Sequence, residues 1–379
     1  MNETYDAIVL GTGLKECILA GLLAKFDNYK VLQIDRNGYY GAESASLNLT
    51  NLWKQFRDGK TPDKKYGENR DWNVDLIPKF VMAGGELLKL LFKSGVIHYL
   101  EWKIIDGTYV YQWDKGGLFS SAKGVICKVP SNAKEALTSD LMGLFEKNRF
   151  RKFLNYVEDW KEDDKKTHKK VEPKHPFKDV IKEFGLEENT ADFIGHAVAL
   201  ETTDEFLEKP VKTVMESLKM YQNSIGRYGD SPFIYPVYGL SGLAEGFSRL
   251  CALFGGTYML NRDCDEIIFE DGKFKGIKSD GEVAFAKMLI ADPTYIKKTD
   301  PKKVKSLGKI IRCICILNHP IKNTNNMAST QIILPQRQIK RKNGKNILIR
   351  YIYCNFKSHS FCMQNWILFS YCIYSSRNW

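Results

Sequence analysis

The first 110 residues alternate apolar and polar segments in the pattern of a mixed α/β fold. Residues 5–10 (YDAIVL) predict a buried parallel strand, residues 14–25 predict a helix, and residues 31–34 predict a second strand. A strand, a helix and a strand in this order, with a glycine-containing loop after the first strand, form the βαβ unit of nucleotide-binding folds. The N-terminal part of the chain therefore predicts a Rossmann-type domain.

The apolar period becomes helical from residue 131 to residue 221. Pro176 and Pro210 stand at the predicted starts of two helices, and another helix carries its apolar residues at i, i+3, i+4 and i+7: Phe150, Phe153, Leu154 and Val157. Strand and hairpin patterns return later, at residues 266–270, 274–278 and 287–291. We predict a discontinuous α/β domain (1–128 and 229–342), an inserted all-α domain (129–228) and a divergent tail (343–379).

The loop after the first strand reads Gly11-Thr12-Gly13-Leu14-Lys15-Glu16, so Glu16 stands where a dinucleotide site needs its third glycine. A carboxylate there would use the positive end of the helix and repel a pyrophosphate. Asp35, about 20 residues further on, is placed to hold a ribose. The sequence pattern of the βαβ fold is complete, whereas the pattern of the cofactor-binding loop lacks its third glycine. We therefore expect no bound cofactor and a vestigial loop formed by Gly11, Gly13, Glu16 and Asp35.

Charge and cysteine content exclude several classes of protein. The formal net charge is +11, but 14 of the 56 Lys and Arg follow Asp300, where no Asp or Glu occurs, so the preceding residues are close to neutral. A nucleic-acid groove is therefore not predicted. No signal peptide and no apolar run of membrane-spanning length is evident. The nine cysteines lack a metal-ligand pattern and read as free thiols in a reducing cytosol.

Candidate catalytic chemistry is weak. The six histidines are scattered, and His196 lies in an apolar helical segment, typical of a histidine satisfied within a core. We find no catalytic pair and no metal-ligand cluster, so we predict that the protein is not an enzyme. An FAD-dependent oxidoreductase of the amine-oxidase type remains the enzymatic alternative, supported by the βαβ unit.

Long runs of this chain resemble the Rab GDP-dissociation inhibitor family. The similar segments are YDAIVLGTGLKECILAG, QIDRNGYYGAESASLNL, NRDWNVDLIPKFVMAGGELLKLL, LMGLFEKNRFRKFLNYV, RYGDSPFIYPVYGLSGLAEGFSRL and FGGTYMLN. The resemblance covers residues 1–342. It implies a fold related to flavin-dependent oxidases without a working FAD site, and a cytosolic, monomeric protein that touches membranes transiently. It also implies partners, namely prenylated Rab GTPases in the GDP form and their geranylgeranyl lipid.

The resemblance also assigns candidate binding residues. It implies a Rab-binding platform at Tyr39, Arg249, Thr257 and Met259, and an effector loop at Arg227, Tyr228 and Ser231. It implies a groove for the Rab C-terminus near Leu91, Phe92 and Val96. A prenyl pocket is expected between helices at Leu141, Met142, Leu144, Phe145, Phe150, Phe153, Leu154, Met215 and Leu218. Taken singly, each of these residues is equally typical of an ordinary core, turn or solvated helix.

Three departures from the family pattern leave alternatives open. Gly242 stands where the family has an acidic residue, with Glu245 three positions further on. The segment 113–126 is longer than in the family, and the similarity ends near residue 342. A Rab escort protein and a nonfunctional truncated paralogue therefore remain alternatives beside the oxidoreductase.

Overall fold

The computed structural model describes residues 3–114, 116, 123–130, 135, 142–319, 321–338, 351–357 and 367–375. The helices are α1 Leu14–Phe26, α2 Leu49–Phe56, α3 Glu86–Ser94, α4 Leu144–Asp159, α5 Lys178–Glu183, α6 Glu188–Phe193, α7 Val211–Ser224, α8 Ser241–Leu253 and α9 Pro293–Thr299. The strands are β1 Thr4–Leu10, β2 Val31–Ile34, β3 Ser46–Leu47, β4 Val74–Asp75, β5 Val81–Met82, β6 Trp102–Ile104, β7 Gly107–Asp114, β8 Lys123–Lys128, β9 Phe233–Pro236, β10 Thr257–Met259, β11 Glu266–Glu270, β12 Lys273–Ser279, β13 Glu282–Ala291, β14 Lys309–Leu317, β15 Ser329–Leu334, β16 Tyr351–Lys357 and β17 Ile367–Ser375. Among the described residues, no helix is both long and apolar enough to span a bilayer.

The first compact unit comprises Met1–Phe80, Leu87–Lys103 and Tyr235–Leu307. Its sheet has six strands in the order β10-β2-β1-β13-β12-β11. The strands from β10 to β13 run parallel, while β12 and β11 continue the sheet antiparallel. The nucleotide-binding type of α/β fold predicted from the sequence is confirmed.

Strand β1 lies inside this sheet and is buried on both faces. Ala7 and Val9 belong to the apolar cluster that includes Ala20 of α1, whereas Ile8 and Leu10 pack into the cluster on the other face. A parallel strand that is covered on both faces needs apolar residues at every position, which explains why the run does not alternate. The packing fixes the loop after β1 at one edge of the sheet.

Helices α1 and α8 pack closely because a glycine stands at their contact. A Cβ atom on Gly21 would lie 3.0 Å from the carbonyl oxygen of Phe247. Leu243, Phe247 and Leu250 are buried along the inner face of α8. The opposite face of α8, which carries Glu245 and Arg249, is left exposed.

The second compact unit comprises Val81–Glu86, Ile104–Ile234 and Gly308–Trp379. Its six-stranded sheet has the order β14-β17-β16-β15-β7-β8. Strands β15 and β7 are parallel, and the other neighbours are antiparallel. The unit thus combines the helices of the predicted inserted block with a sheet, and the predicted domain boundaries stay a prediction.

An aromatic cluster holds the helices of the second unit together. Phe153 of α4 has its ring 5.7 Å from that of Phe184 and 6.4 Å from that of Phe177, and Phe150 lies 5.6 Å from Phe193. Their relative orientations are edge-to-face, the arrangement that aromatic pairs favour. The helical period predicted from Phe150, Phe153 and Val157 therefore marks a buried face.

Strand pairing extends into two segments for which no strand is predicted. The first includes the segment 113–126, which is longer than in the family: β7 and β8 pair there, from Tyr109↔Lys128 to Asp114↔Lys123. Gly124 pairs with Trp113 in this hairpin. A Cβ atom at position 124 would lie 2.4 Å from the ring of Tyr111, so the close packing of this ring requires a glycine. In the tail, β16 and β17 join the sheet by pairing with each other and with β15 and β14.

A partly buried charged cluster joins α6, its following π-helical turn Ile194–Val198 and the segment after β15. The ring of His196 contacts the carbonyl oxygen of Glu201 through Nδ1 at 2.8 Å and Asp204 Oδ1 through Nε2 at 2.9 Å. Arg337 donates from Nε to Asp204 Oδ2 at 3.0 Å. Both ring nitrogens are engaged, which confirms the prediction of a satisfied core histidine.

This cluster predicts a loss of stability in acid. Burial alone raises the pKa of Asp204, but the hydrogen bond to His196 and the charge of Arg337 outweigh it and lower the pKa below the ordinary 3.8. The carboxylate therefore stabilises the fold above pH 3.8, and this contribution is lost as the pH falls through the lower folded pKa. At pH 5 we expect Asp204→Asn to be less stable by about 1–3 kcal/mol.

Urea unfolding of both proteins at pH 5 and pH 3 measures this effect. The difference in unfolding free energy between wild type and Asp204→Asn should narrow at pH 3, because below pH 3.8 the unfolded wild type binds a proton that the folded carboxylate binds only at lower pH. The comparison with the variant is needed because burial raises the pKa of Asp192 in the same cluster. The contribution of Asp192 to stability therefore changes with pH in the direction opposite to that of Asp204. An unchanged difference would contradict the role assigned to Asp204.

Candidate functional site

A cavity of about 740 Å³ lies at the edge of the first sheet where the βαβ loop ends. Its walls include the glycine loop after β1, the start of α1, the segment after β2 and the start of α9. Gly11 adopts φ +101°, a conformation that suits glycine and turns the chain from β1 toward α1. This is the position at which a Rossmann-type fold would hold a dinucleotide.

Glu16 fills the diphosphate position of this loop. It is 3 % exposed, and its Oε2 atom lies 2.5 Å from the point that a Cβ on Gly13 would occupy. Lys15 contacts the other carboxylate oxygen, Oε1, at 3.3 Å. A pyrophosphate approaching the start of α1 would meet this carboxylate, so the residues present do not fit a dinucleotide.

Asp35 is also unavailable to a ribose. Its Oδ2 accepts from the backbone N–H and the hydroxyl of Thr12, both at 2.6 Å. Its Oδ1 accepts from the backbone N–H of Asn37 at 2.7 Å and from the Asn37 side chain at 3.0 Å. The residue is 1 % exposed. The carboxylate predicted to bind a ribose is instead hydrogen-bonded to Thr12 and Asn37 in the two neighbouring loops.

The same segment carries part of the predicted platform. Tyr39 is half-buried and lines the cavity. Thr257 and Met259 are half-buried on β10, which pairs with β2 so that Met259 lies opposite Ile34. The first unit therefore brings Tyr39 and Met259 to neighbouring segments, whose partner-binding role stays a prediction.

A second cavity, of about 300 Å³, lies beside α8 in the first unit. Arg249 places its guanidinium 4.7 Å from the centre of the Tyr99 ring, a cation–π contact. Tyr238 at the rim is 59 % exposed, and Glu245 is exposed on the same helix. We call the surface formed by Tyr99, Tyr238, Gly242, Glu245 and Arg249 the α8 surface. An exposed arginine with two tyrosines is the chemistry of an interaction hot spot.

Asp75 holds the chain that leads into α8. It is 5 % exposed and accepts from the hydroxyls of Ser46 at 2.5 Å and Tyr235, and from the N–H of Leu240 at 2.8 Å. Burial raises the pKa of this carboxyl, and the three donors oppose that rise. The start of α8, and with it the placement of the α8 surface, therefore depends on one buried acid.

The remaining predicted contacts differ in accessibility. Arg227 and Tyr228 are exposed at a turn closed by the Gly226 N–H and the Gly229 carbonyl oxygen, whereas Ser231 is buried. In the predicted groove only Phe92 is exposed, because Leu91 and Val96 are fully buried. Their predicted roles remain open, but a direct contact through Ser231, Leu91 or Val96 would need a rearrangement.

The residues predicted to line the prenyl pocket also differ in accessibility. Leu144 and Phe145, in the first turn of α4, are 80 % and 83 % exposed. Met142 and Leu154 are half-buried, and Leu141 lies outside the described residues. The other predicted lining residues belong to the buried core: Phe150, Phe153, Met215 and Leu218.

The sequence-based predictions do not include Asp75, Tyr99 or Tyr238 as site residues. Tyr238 stands in the run YGLSGL just before α8, so an exposed tyrosine beside a helix start is the available signal. Asp75 and Tyr99 are connected to α8 only through the tertiary fold. A further cluster in the second unit, Asp192, His196 and Asp204, has the ligand atoms of a metal site within 4.8 Å. Arg337 already supplies the positive charge there, with Nη1 at 3.8 Å from Asp192 Oδ1.

Comparison with known proteins gives consistent results. The family model described as GDP dissociation inhibitor matches residues 1–374. A curated relative, the probable secretory pathway GDP dissociation inhibitor 1 of Schizosaccharomyces pombe, is 51 % identical over 344 residues, which cover 90 % of this chain and 75 % of the relative.

Solved structures show the same relationship. The crystal structure of a Rab GDI from Plasmodium falciparum aligns with a TM-score of 0.89 and 45 % identity, covering 100 % of this chain and 84 % of that one. An oxidoreductase from Methanosarcina mazei aligns with a TM-score of 0.58 at 15 % identity, covering 98 % of this chain and 79 % of that one. At that identity the second likeness shows the fold alone.

Proposed function

Because the chain belongs to the GDP dissociation inhibitor family, as its sequence resemblance predicts, we propose that it binds prenylated Rab GTPases in their GDP form. In this proposal it slows GDP release and extracts the GTPase from membranes. The family is named for a regulatory activity, and Glu16 and Asp35 occupy the positions that a redox cofactor would need. The proposed protein is a monomer that works from the cytosol and contacts membranes transiently, without nucleic acid.

The α8 surface is the observation that carries the proposal. Arg249 offers a planar guanidinium that can bind a carboxylate through two hydrogen bonds, and its cation–π contact with Tyr99 holds it over that ring. Tyr238 adds exposed aromatic area at low entropic cost. Selectivity for GDP follows if this surface contacts switch regions, whose order depends on the γ-phosphate.

The lipid requires a separate site in the helices of the second unit. Burial of a prenyl chain gains about 0.8 kcal/mol per CH₂ group, so extraction needs an apolar pocket of comparable capacity. Leu144 and Phe145 expose large apolar side chains at the start of α4. We propose that they form the entrance and that Phe150, Phe153, Met215 and Leu218 become its lining when the helices separate.

Extraction from liposomes tests the proposed function. Liposomes carrying a geranylgeranylated Rab loaded with GDP are incubated with the purified protein, and the released GTPase is measured after flotation. We expect release of the GDP form and little release of the same GTPase loaded with a GTP analogue. Equal release of both forms, or none from a well-folded sample, would contradict the proposal.

Two further measurements separate the alternatives. Tight binding of unprenylated Rab together with a prenyltransferase would indicate a Rab escort protein. Flavin absorbance in the purified protein would indicate an oxidoreductase. Failure of the protein to fold in soluble form would support the nonfunctional paralogue.

A further inference from the structure

Asp35, which directly follows β2, has a structural role instead of binding a ribose. Asp35 uses all its side-chain acceptor positions within the protein, two toward Thr12 and two toward Asn37. Thr12 belongs to the glycine loop after β1, and Asn37 begins the turn that leads to Tyr39. One buried carboxylate therefore connects the end of β1 to the segment after β2. We call these hydrogen bonds of Asp35 to Thr12 and Asn37 the tie.

Further bonds extend this tie to the predicted platform. The N–H of Gly41 donates to the carbonyl oxygen of Thr12 at 2.9 Å, and the Thr12 hydroxyl lies 3.5 Å from the carbonyl oxygen of Tyr39. Through its own backbone N–H, Asp35 donates to the carbonyl oxygen of Met259 at 2.9 Å. Met259 is thus bonded to Asp35 directly, and Tyr39 is connected to Asp35 through Thr12.

The turn is also closed on its outer side. The N–H of Asn261 donates to the carbonyl oxygen of Asn37 at 3.0 Å, and the N–H of Arg262 donates to that of Asp35 at 2.8 Å. A Cβ atom on Gly38 would lie 2.7 Å from Asn261 Oδ1, so the chain passes directly beside this side chain. The segment from Asp35 to Gly41 has little room to adopt another path.

We propose that Asp35 is a positioning residue, which fixes Tyr39 for contact with the GTPase through the bonds to Thr12 and Asn37. The proposal rests on the proposed function for the role of Tyr39, but the tie itself belongs to the isolated protein. A carboxylate suits this task because it only accepts hydrogen bonds, and its four partners are all donors. An asparagine would present one NH₂ group to another donor, although its size is nearly the same.

The first test measures the tie without any GTPase. Hydrogen exchange of the segment 37–41 is compared in wild type, Asp35→Asn and Asp292→Asn. Asp292 lines the same cavity, but among the described residues its side chain accepts only from Thr294 of its own helix, so its variant is the matched control. We expect exchange to become about tenfold faster in Asp35→Asn, as for the loss of one net hydrogen bond, and unchanged in Asp292→Asn.

The second test asks whether Asp35 acts through Tyr39. Affinity for a GDP-loaded, prenylated Rab is measured for wild type, Asp35→Asn, Tyr39→Ala and the double variant. Asp35→Asn should weaken binding about tenfold in the wild-type background and have little effect once Tyr39 is absent. Additive effects would mean that Asp35 acts elsewhere and would overturn the proposal.

The outcomes remain distinguishable from a failure of the proposed function. If Asp35→Asn does not fold, Thr12→Val removes the hydroxyl bond alone and is measured in the same two ways. Unchanged exchange in a folded variant overturns the tie. If exchange is faster in Asp35→Asn but the wild-type protein binds no Rab, the positioning role is overturned together with the proposed function, while the tie stands.

Discussion

Replacing Arg249 with alanine is expected to weaken binding of a GDP-loaded, prenylated Rab about 30-fold or more, as for a hot-spot residue worth at least 2 kcal/mol. Arg249 is exposed, yet its guanidinium is held by the cation–π contact with Tyr99, so little side-chain entropy is lost when it binds a partner. Fold stability should change little because the side chain lies on the outer face of α8. Titration calorimetry with wild type and variant measures the loss.

Two companion variants make this experiment specific. Arg249→Lys keeps the positive charge and loses the planar fork, so it should fall between wild type and alanine. Arg57→Ala removes an exposed arginine at the end of α2 in the same unit and serves as the matched control, with affinity close to wild type. Wild-type affinity in Arg249→Ala would remove the α8 surface from the proposed function.

Replacing Asp75 with alanine is expected to lower the free energy of unfolding by about 2–4 kcal/mol, because three donors lose the buried carboxyl that accepts from them. The donors are the hydroxyls of Ser46 and Tyr235 and the N–H of Leu240. Asp75→Asn should lower the free energy of unfolding less than Asp75→Ala, because the amide oxygen still accepts hydrogen bonds. The amide is also neutral, so it avoids the cost of burying a charge that raises the pKa of the carboxyl. Chemical denaturation of the three proteins gives the values.

The control for this prediction is an aspartate in a local turn. The carboxylate of Asp63 accepts from the N–H of Lys65 two residues on, and its side chain is 60 % exposed. Asp63→Ala should therefore have little effect on stability. A loss in Asp75→Ala no larger than that in Asp63→Ala would show that the start of α8 does not depend on this acid.

Local patterns predict the elements of this fold well. The strand over 31–34 is observed as predicted, and α1 ends at Phe26, one residue beyond the predicted helix. The turns at Asp271-Gly272 and Asp280-Gly281 lie between the predicted hairpin strands. In these cases the signal lies within a few residues, where periodicity and turn chemistry act.

The sites depend on contacts that local patterns do not contain. Residue identity alone indicates that Glu16 damages a phosphate site, and the structure adds how it fills the space beside Gly13. The hydrogen bonds of Asp35 with Thr12 join residues 23 positions apart, and the cation–π contact of Arg249 with Tyr99 joins residues still more distant. The helical period of Phe150 and Phe153 predicts burial correctly but does not distinguish a closed core from a lipid pocket.

The parallel pairings in the two sheets have a consequence for synthesis on the ribosome. Thr4 of β1 pairs with Phe285 of β13 in the first unit, and Gly107 of β7 pairs with Thr330 of β15 in the second. Strand β2 follows β1 closely, but at translation rates of roughly 5–20 residues per second β13, the neighbour on the other side of β1, emerges on the order of 15–55 s later. The nascent N-terminal strand, apolar on both faces, must stay unaggregated for that time, so we expect chaperones to set the yield of this protein.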